Sequence, residues 1–163
     1  MANRFSEAET AHAIPETVFP LWFSDAYSFE VIKSHTRLVY RVTVEDKRYY
    51  LKINPESDQV GATPLDRSRY DRSTDFALHL ANRGAPVARP ISSTKGNPVE
   101  IQTFEGVDMM VQASEEALGE TVSEDCRDTA VFLRCGAALA KFHSAASTYP
   151  AVATFGKDEW EKE

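Results

Sequence analysis

The stretch RLVYRVTVEDKRYYLKI, residues 37–53, restricts the fold more than any other part of the chain. Leu38, Tyr40, Val42 and Val44 alternate with Val39, Arg41, Thr43 and Glu45, a period of two that makes a strand with one apolar face. Asp46 and Lys47 supply a turn. Beyond it Tyr49, Leu51 and Ile53 share one face, while Tyr50 and Lys52 share the other. Lys52 therefore projects from a hairpin floor, away from the Leu51 and Ile53 side. Such a lysine is either a solvated strand residue or a phosphate contact, and position alone leaves both open.

The flanking segments extend this hairpin. Ser6 and Glu9 form a capping box for a short helix reaching Ile14, ended by Pro15; Phe19, Leu21, Trp22 and Phe23 are packing residues for the segments after them. Residues 27–33 read as a strand and Ser34, His35 and Thr36 as the turn into the hairpin, giving three consecutive antiparallel strands. Residues 54–63, NPESDQVGAT, are a loop. Thr63 caps a helix that begins at Pro64 and runs to Arg83, with Gly84 at the C′ site; Leu65, Phe76, Ala77 and Leu80 are its expected buried residues. Its first half carries Asp66, Arg67, Arg69, Asp71, Arg72 and Asp75, read as a solvated face with local pairs. Residues 85–91 are a Pro-punctuated extended connection, residues 92–98 turn around Gly96, and two further strands, 99–104 and 109–113, are joined by residues 105–108.

An acidic connector, residues 114–122, leads to Ser123, which caps a helix ending near Tyr149 and Pro150. Val131, Cys135, Ala138 and Phe142 form one stripe of that helix, and Leu133, Ala137 and Ala140 a second, so its C-terminal half is apolar nearly all round and expects neighbours on several sides. The chain is therefore expected to stop part-way through a larger architecture. The expected class is α+β: a five-stranded antiparallel sheet with one packed helix, then a long helix. Residues 1–113 form one body, 114–122 a linker and 123–163 the start of a second.

A net charge of −7 argues against a duplex nucleic-acid partner and against anionic membranes. No apolar run approaches the roughly 18 residues of a spanning helix, and the N-terminus lacks a signal-peptide pattern, so a cytoplasmic location is expected. Cys126 and Cys135 fall within the long helix without metal spacing and are expected to be small buried residues, with neither disulfide nor zinc. His12 and His79 are read as surface helix positions, His35 as a turn residue and His143 as a packed histidine. No glycine precedes Gly61, so the hairpin carries neither G-x-G-x-x-G nor a Walker loop, and no nucleophile elbow is present. On residues alone the chemistry is not visible.

The order of the pieces changes this. Three strands ending VTVEDKRYYLKI are followed by a helix ending DFALHLANRGAPVARPISSTKGNPVEI, then by MMVQASEEALGE and by FLRCGAALAKFHSA. This order resembles the front half of the aminoglycoside phosphotransferase and choline kinase-like family, which has the protein-kinase fold. The run from Gly84 to Ile91, the turn at Lys95 and Gly96, and the G-x-x-L-A-x-x-H pattern from Gly136 to His143 carry the likeness. The resemblance implies that Lys52 contacts the ATP α- and β-phosphates. It likewise implies that Ser34, His35, Thr36 and Arg37 loop over the phosphates. Gln112, Ala113, Ser114 and Glu115 would be a hinge meeting the adenine edge through backbone groups.

Departures from the pattern accompany it. The family's helical glutamate, which pairs with the lysine, has Ser73 at the expected place; Asp75 is acidic but about 200° away on a regular helix. The catalytic loop H-x-D-x-x-x-x-N and the metal-binding aspartate occur nowhere in the sequence, so a base for the acceptor hydroxyl and a ligand for Mg²⁺ are missing. Two expectations result. The first is the ATP-binding portion of a small-molecule O-phosphotransferase acting on an aminoglycoside, sugar or amino alcohol; it uses ATP and Mg²⁺ when complete and is inactive as this chain alone. The second is a non-catalytic half-kinase that binds nucleotide or protein. Self-association through the apolar helix, residues 123–147, is expected in either case.

Overall fold

The computed structural model describes residues 16–24, 27–32, 38–55, 67–104, 106–119, 122–123, 126 and 128–150. A 3-10 turn, Phe19–Leu21, precedes strands β1 (Tyr27–Ile32), β2 (Leu38–Val44) and β3 (Lys47–Pro55). Helix α1 (Arg67–Asn82) follows, then β4 (Pro90–Ile91), β5 (Glu100–Phe104), β6 (Val107–Glu115) and helix α2 (Thr129–Ala146). The strands form one antiparallel sheet in the order β1-β2-β3-β6-β4, with β5 also pairing β6. The α+β class expected from the sequence is the one observed. The sheet has six strands rather than five, because Pro90 and Ile91 pair with Ser114 and Ala113. The short helix expected over residues 6–14 lies outside the described residues.

The hairpin forms as its alternation requires, with one shift: Val44 pairs with Lys47, so the loop is Glu45 and Asp46. Glu45 takes the left-handed conformation that closes it, at φ 52°. Tyr40, Val42, Leu51 and Ile53 point to one face and are fully buried. The segment before β1 covers them: Val18 and Phe19 are also fully buried, and Trp22 and Phe23 nearly so. The Phe19 ring stands edge-on to Tyr40 at 5.3 Å and to Phe29 at 5.1 Å. Each such large apolar side chain contributes about 1.5–3 kcal/mol by leaving water. Burial pushes the Tyr40 hydroxyl up to about 12. The covering segment is tied across the sheet by Trp22 Nε1 donating to Ile91 O at 3.2 Å and Thr94 N–H to Leu21 O at 2.7 Å.

Helix α1 ends as predicted. Gly84, at φ 74°, holds the left-handed C′ position, and Ala85 N–H to Leu80 O with Gly84 N–H to Ala81 O completes a Schellman motif. Between β4 and β5, buried Glu100 accepts from Ser93 Oγ at 2.6 Å and from Asn97 Nδ2 at 3.0 Å. Burial alone would raise the Glu100 carboxyl. The Ser93 and Asn97 hydrogen bonds and the charges of Lys95 and Arg67 outweigh it and hold the group below its ordinary value.

Helix α2 is shorter than expected. Asp128, not Ser123, is its N-cap, accepting from Ala130 N–H at 2.8 Å, so Cys126 lies ahead of the helix. Cys135 and His143, expected to pack, are exposed. Phe132, Leu133 and Leu139 are exposed as well. The side of α2 that does pack brings Ala145 against Leu80 and Ala85, flanked by Phe76, Val87 and Phe142.

Candidate functional site

Strand pairing places Lys52 in a straight row. Ile32 faces Val39, Val39 faces Lys52, and Lys52 faces Gln112, all on the sheet side opposite Leu51. The neighbouring row runs Glu30, Arg41, Tyr50, Ser114, and Glu30 and Arg41 form an ion pair across β1 and β2. Helix α1 lies over the Gln112 end of the first row: Gln112 Nε2 donates to Thr74 Oγ1 at 2.7 Å, and Thr74 is only 6% exposed.

Asp71 lies one helical turn before Thr74, on the same side of α1. Its Oδ2 accepts from Arg67 Nε at 3.3 Å, and Arg67 Nη2 reaches Val99 O at 3.3 Å. The other carboxylate oxygen, Asp71 Oδ1, is covered and has no partner among the described residues, while the side chain as a whole is 41% exposed. Arg67 already gives this carboxylate a cation, and Oδ1 leaves room for one further donor. Lys52, exposed and in no ion pair with a described residue, is the cation on this face of the sheet next to Gln112. The first half of α1 is charged throughout in sequence, and only the contact with Gln112 marks the side that carries Asp71 and Thr74. In the sequence the two share a spacing of three residues, which puts them on a single helix face.

Ser34, His35 and Arg37 lie outside the described residues. Gln112, Ala113, Ser114 and Glu115 sit within β6, pairing with β3 on one flank; Ala113 and Ser114 also pair with β4, and Glu115 N–H donates to Arg89 O at 2.8 Å. Glu116 N–H donates to Arg48 O at 3.0 Å, and its carboxylate takes an ion pair from Arg48 at 3.0 Å. Strand pairing ends there, and Ala117 and Leu118 follow with no strand partner. Ser73 is exposed and caps back onto Tyr70 O at 2.9 Å. Asp75 faces away from Lys52: its Oδ2 accepts from the Tyr149 hydroxyl at 2.7 Å. His79, expected at the surface, packs on the Tyr149 ring with centroids 5.1 Å apart. Among the described residues no three His, Cys, Asp or Glu side chains are grouped to hold a metal, and no helix is long and apolar enough to cross a membrane.

An antiparallel sheet with an outward lysine on its third strand, a helix laid across the sheet between the third strand and the rest, and a long helix after the last strand define a protein-kinase-like N-terminal lobe with a long helix. The chain belongs to the phosphotransferase enzyme family, whose sequence profile matches residues 28–162. No curated protein sequence matches. Among solved structures it is similar to an amicoumacin kinase, hAmiN, in complex with AMP-PNP, Ca²⁺ and Ami, at 21% identity and a TM-score of 0.72 over 92% of this chain and 44% of that one. It is also similar to a microcompartment-associated aminopropanol kinase, at 15% identity and a TM-score of 0.60 over 88% of this chain and 43% of the other. The chain thus spans less than half the length of each.

Proposed function

We propose that this chain is the nucleotide-binding part of a small-molecule O-phosphotransferase, with ATP as donor and a hydroxyl of an aminoglycoside, sugar or amino alcohol as acceptor. The observation that carries the reading is Lys52, exposed in the row beside Gln112, whose amide bonds Thr74 of α1 one helical turn from Asp71. In this reading Asp71 steadies the ammonium, and Lys52 gives the α- and β-phosphates a point charge where no glycine-rich loop does. Ser34, His35 and Arg37 cover the phosphates. The base lies along Gln112, Ala113, Ser114 and Glu115, its edge met by backbone beyond the strand pairing. The AMP-PNP held by the amicoumacin kinase supports the choice of donor. The described residues do not fit a Mg²⁺ ligand set, and no step is assigned to a metal. Lacking H-x-D-x-x-x-x-N, these 163 residues hold nucleotide without completing transfer.

Calorimetric titration with ADP and ATP tests this. Binding is expected, with Lys52→Ala weakening it about tenfold or more through loss of a charge-assisted contact. No heat from the parent chain at millimolar nucleotide overturns the reading. The exposed Phe132, Leu133 and Leu139 of α2 favour a second role, self-association or protein binding through that face. A strictly monomeric species in sedimentation at high concentration overturns the self-association.

A further inference from the structure

Helix α1 is held from two sides by consecutive residues. Thr74 reaches the sheet through Gln112, and Asp75, the next residue and about 100° further round the helix, accepts the Tyr149 hydroxyl just beyond α2. Around that bond the end of α2 closes on α1. Phe76 lies 4.9 Å from the Tyr149 ring and 6.2 Å from Phe142, and His79 Nε2 sits 3.1 Å from Ala145 O and 3.2 Å from Thr148 Oγ1. Tyr149 is 6% exposed. The ring is enclosed, and the hydroxyl at the edge of that packing has the Asp75 carboxylate as its acceptor.

We propose that Tyr149 and Asp75 are positioning residues, a latch by which the tip of α2 fixes the rotation of α1 and hence the place of Thr74 on Gln112, the strand neighbour of Lys52. Two anchors on adjacent residues, facing two different bodies, leave a helix little freedom to turn. A rotation by one residue would present Ser73 or Asp75 to Gln112 in place of Thr74. Burial first, and then the bond to Asp75 and its charge, raise the Tyr149 hydroxyl above the ordinary tyrosine value, as expected of a donor facing a carboxylate. The effect on nucleotide rests on the function proposed above; the effect on α1 does not.

The test compares the 163-residue chain with Tyr149→Phe, Asp75→Ala and Asp75→Asn, reading amide hydrogen exchange in α1 and ADP affinity by calorimetry. Tyr149→Phe and Asp75→Ala are expected to speed α1 exchange about three- to tenfold, with the β2 and β3 amides still protected, and to weaken ADP by a similar factor. Asp75→Asn keeps a carbonyl acceptor and is expected to restore most of both, which a purely electrostatic role would not allow. Unchanged α1 exchange in Tyr149→Phe and Asp75→Ala overturns the latch. Faster exchange with ADP affinity within twofold of the parent overturns its link to the site. A parent chain that fails to bind ADP refutes the nucleotide reading alone, and the exchange measurements still decide the latch. Should Tyr149→Phe unfold, Asp75→Ala, on an exposed residue, decides between these outcomes.

Discussion

Thr74→Val probes the placement of α1 directly. Valine matches threonine in shape, so the substitution removes one hydroxyl from a residue that is 6% exposed and leaves the packing in place. The lost bond is the 2.7 Å contact from Gln112 Nε2, a neutral pair with a net worth of about 0.5–1.5 kcal/mol. The half-buried Gln112 amide then has no acceptor on the helix, which places the cost toward the upper end, about 1–1.5 kcal/mol. With a urea m-value of about 2 kcal/mol/M the unfolding midpoint falls by roughly half a molar. Gln112→Leu removes the same bond from the other side. A double-mutant cycle by urea unfolding is therefore expected to give a coupling of about 1 kcal/mol, with the double variant less destabilised than the two singles together. A coupling below about 0.3 kcal/mol, the scatter of independent sites, would mean that Thr74 does not meet Gln112 in solution. The placement of α1 over the row that holds Lys52 would fall with it.

Two pH dependences arise from buried groups. Tyr40 ionises near 12 in the folded chain against 10.0 when unfolded, so its share of stability is full below pH 10 and is lost as pH rises through 12. At pH 11 the loss is about 1.4 kcal/mol, and urea unfolding of Tyr40→Phe should be correspondingly flatter between pH 10 and 12; parallel curves would contradict this. Glu100 runs the other way. Its carboxyl is held below 4.5, so it stabilises above that value and the contribution fades as pH falls through the lower folded value. Glu100→Gln should lose less stability than the parent over that acid range, and equal losses would remove Glu100 from the account.

The parts of the fold that could be read in the sequence are those set by neighbours along the chain. A period of two over residues 38–44 fixes which side of β2 is apolar, and Gly84 marks the end of α1 because few other residues take a left-handed C′ position at low cost. The parts that escaped depend on distant contacts. Pro90 and Ile91 count as a strand only because β6 runs beside them. Ser123 and Asp128 are both good capping residues, and local sequence does not rank them. Asp75 and His79 look like surface residues until Tyr149 and Ala145, 74 and 66 positions away, fold onto them. Strand alternation sets Lys52 on the sheet face opposite Leu51, whereas the side of α1 that meets the sheet is set by the distant contact of Thr74 with Gln112.

The aromatic segment ahead of β1 separates two boundaries that are usually drawn together. The family's sequence profile matches from residue 28, yet Val18, Phe19, Trp22 and Phe23 pack over Tyr40, Val42, Leu51 and Ile53 and are pinned to the far edge of the sheet through Ile91 and Thr94. A fragment cut at the homology boundary would lay Tyr40, Val42, Leu51 and Ile53 open to water and to one another's copies. The stretch the family profile matches and the stretch that folds therefore start at different residues, and the aromatic segment belongs to the folding unit.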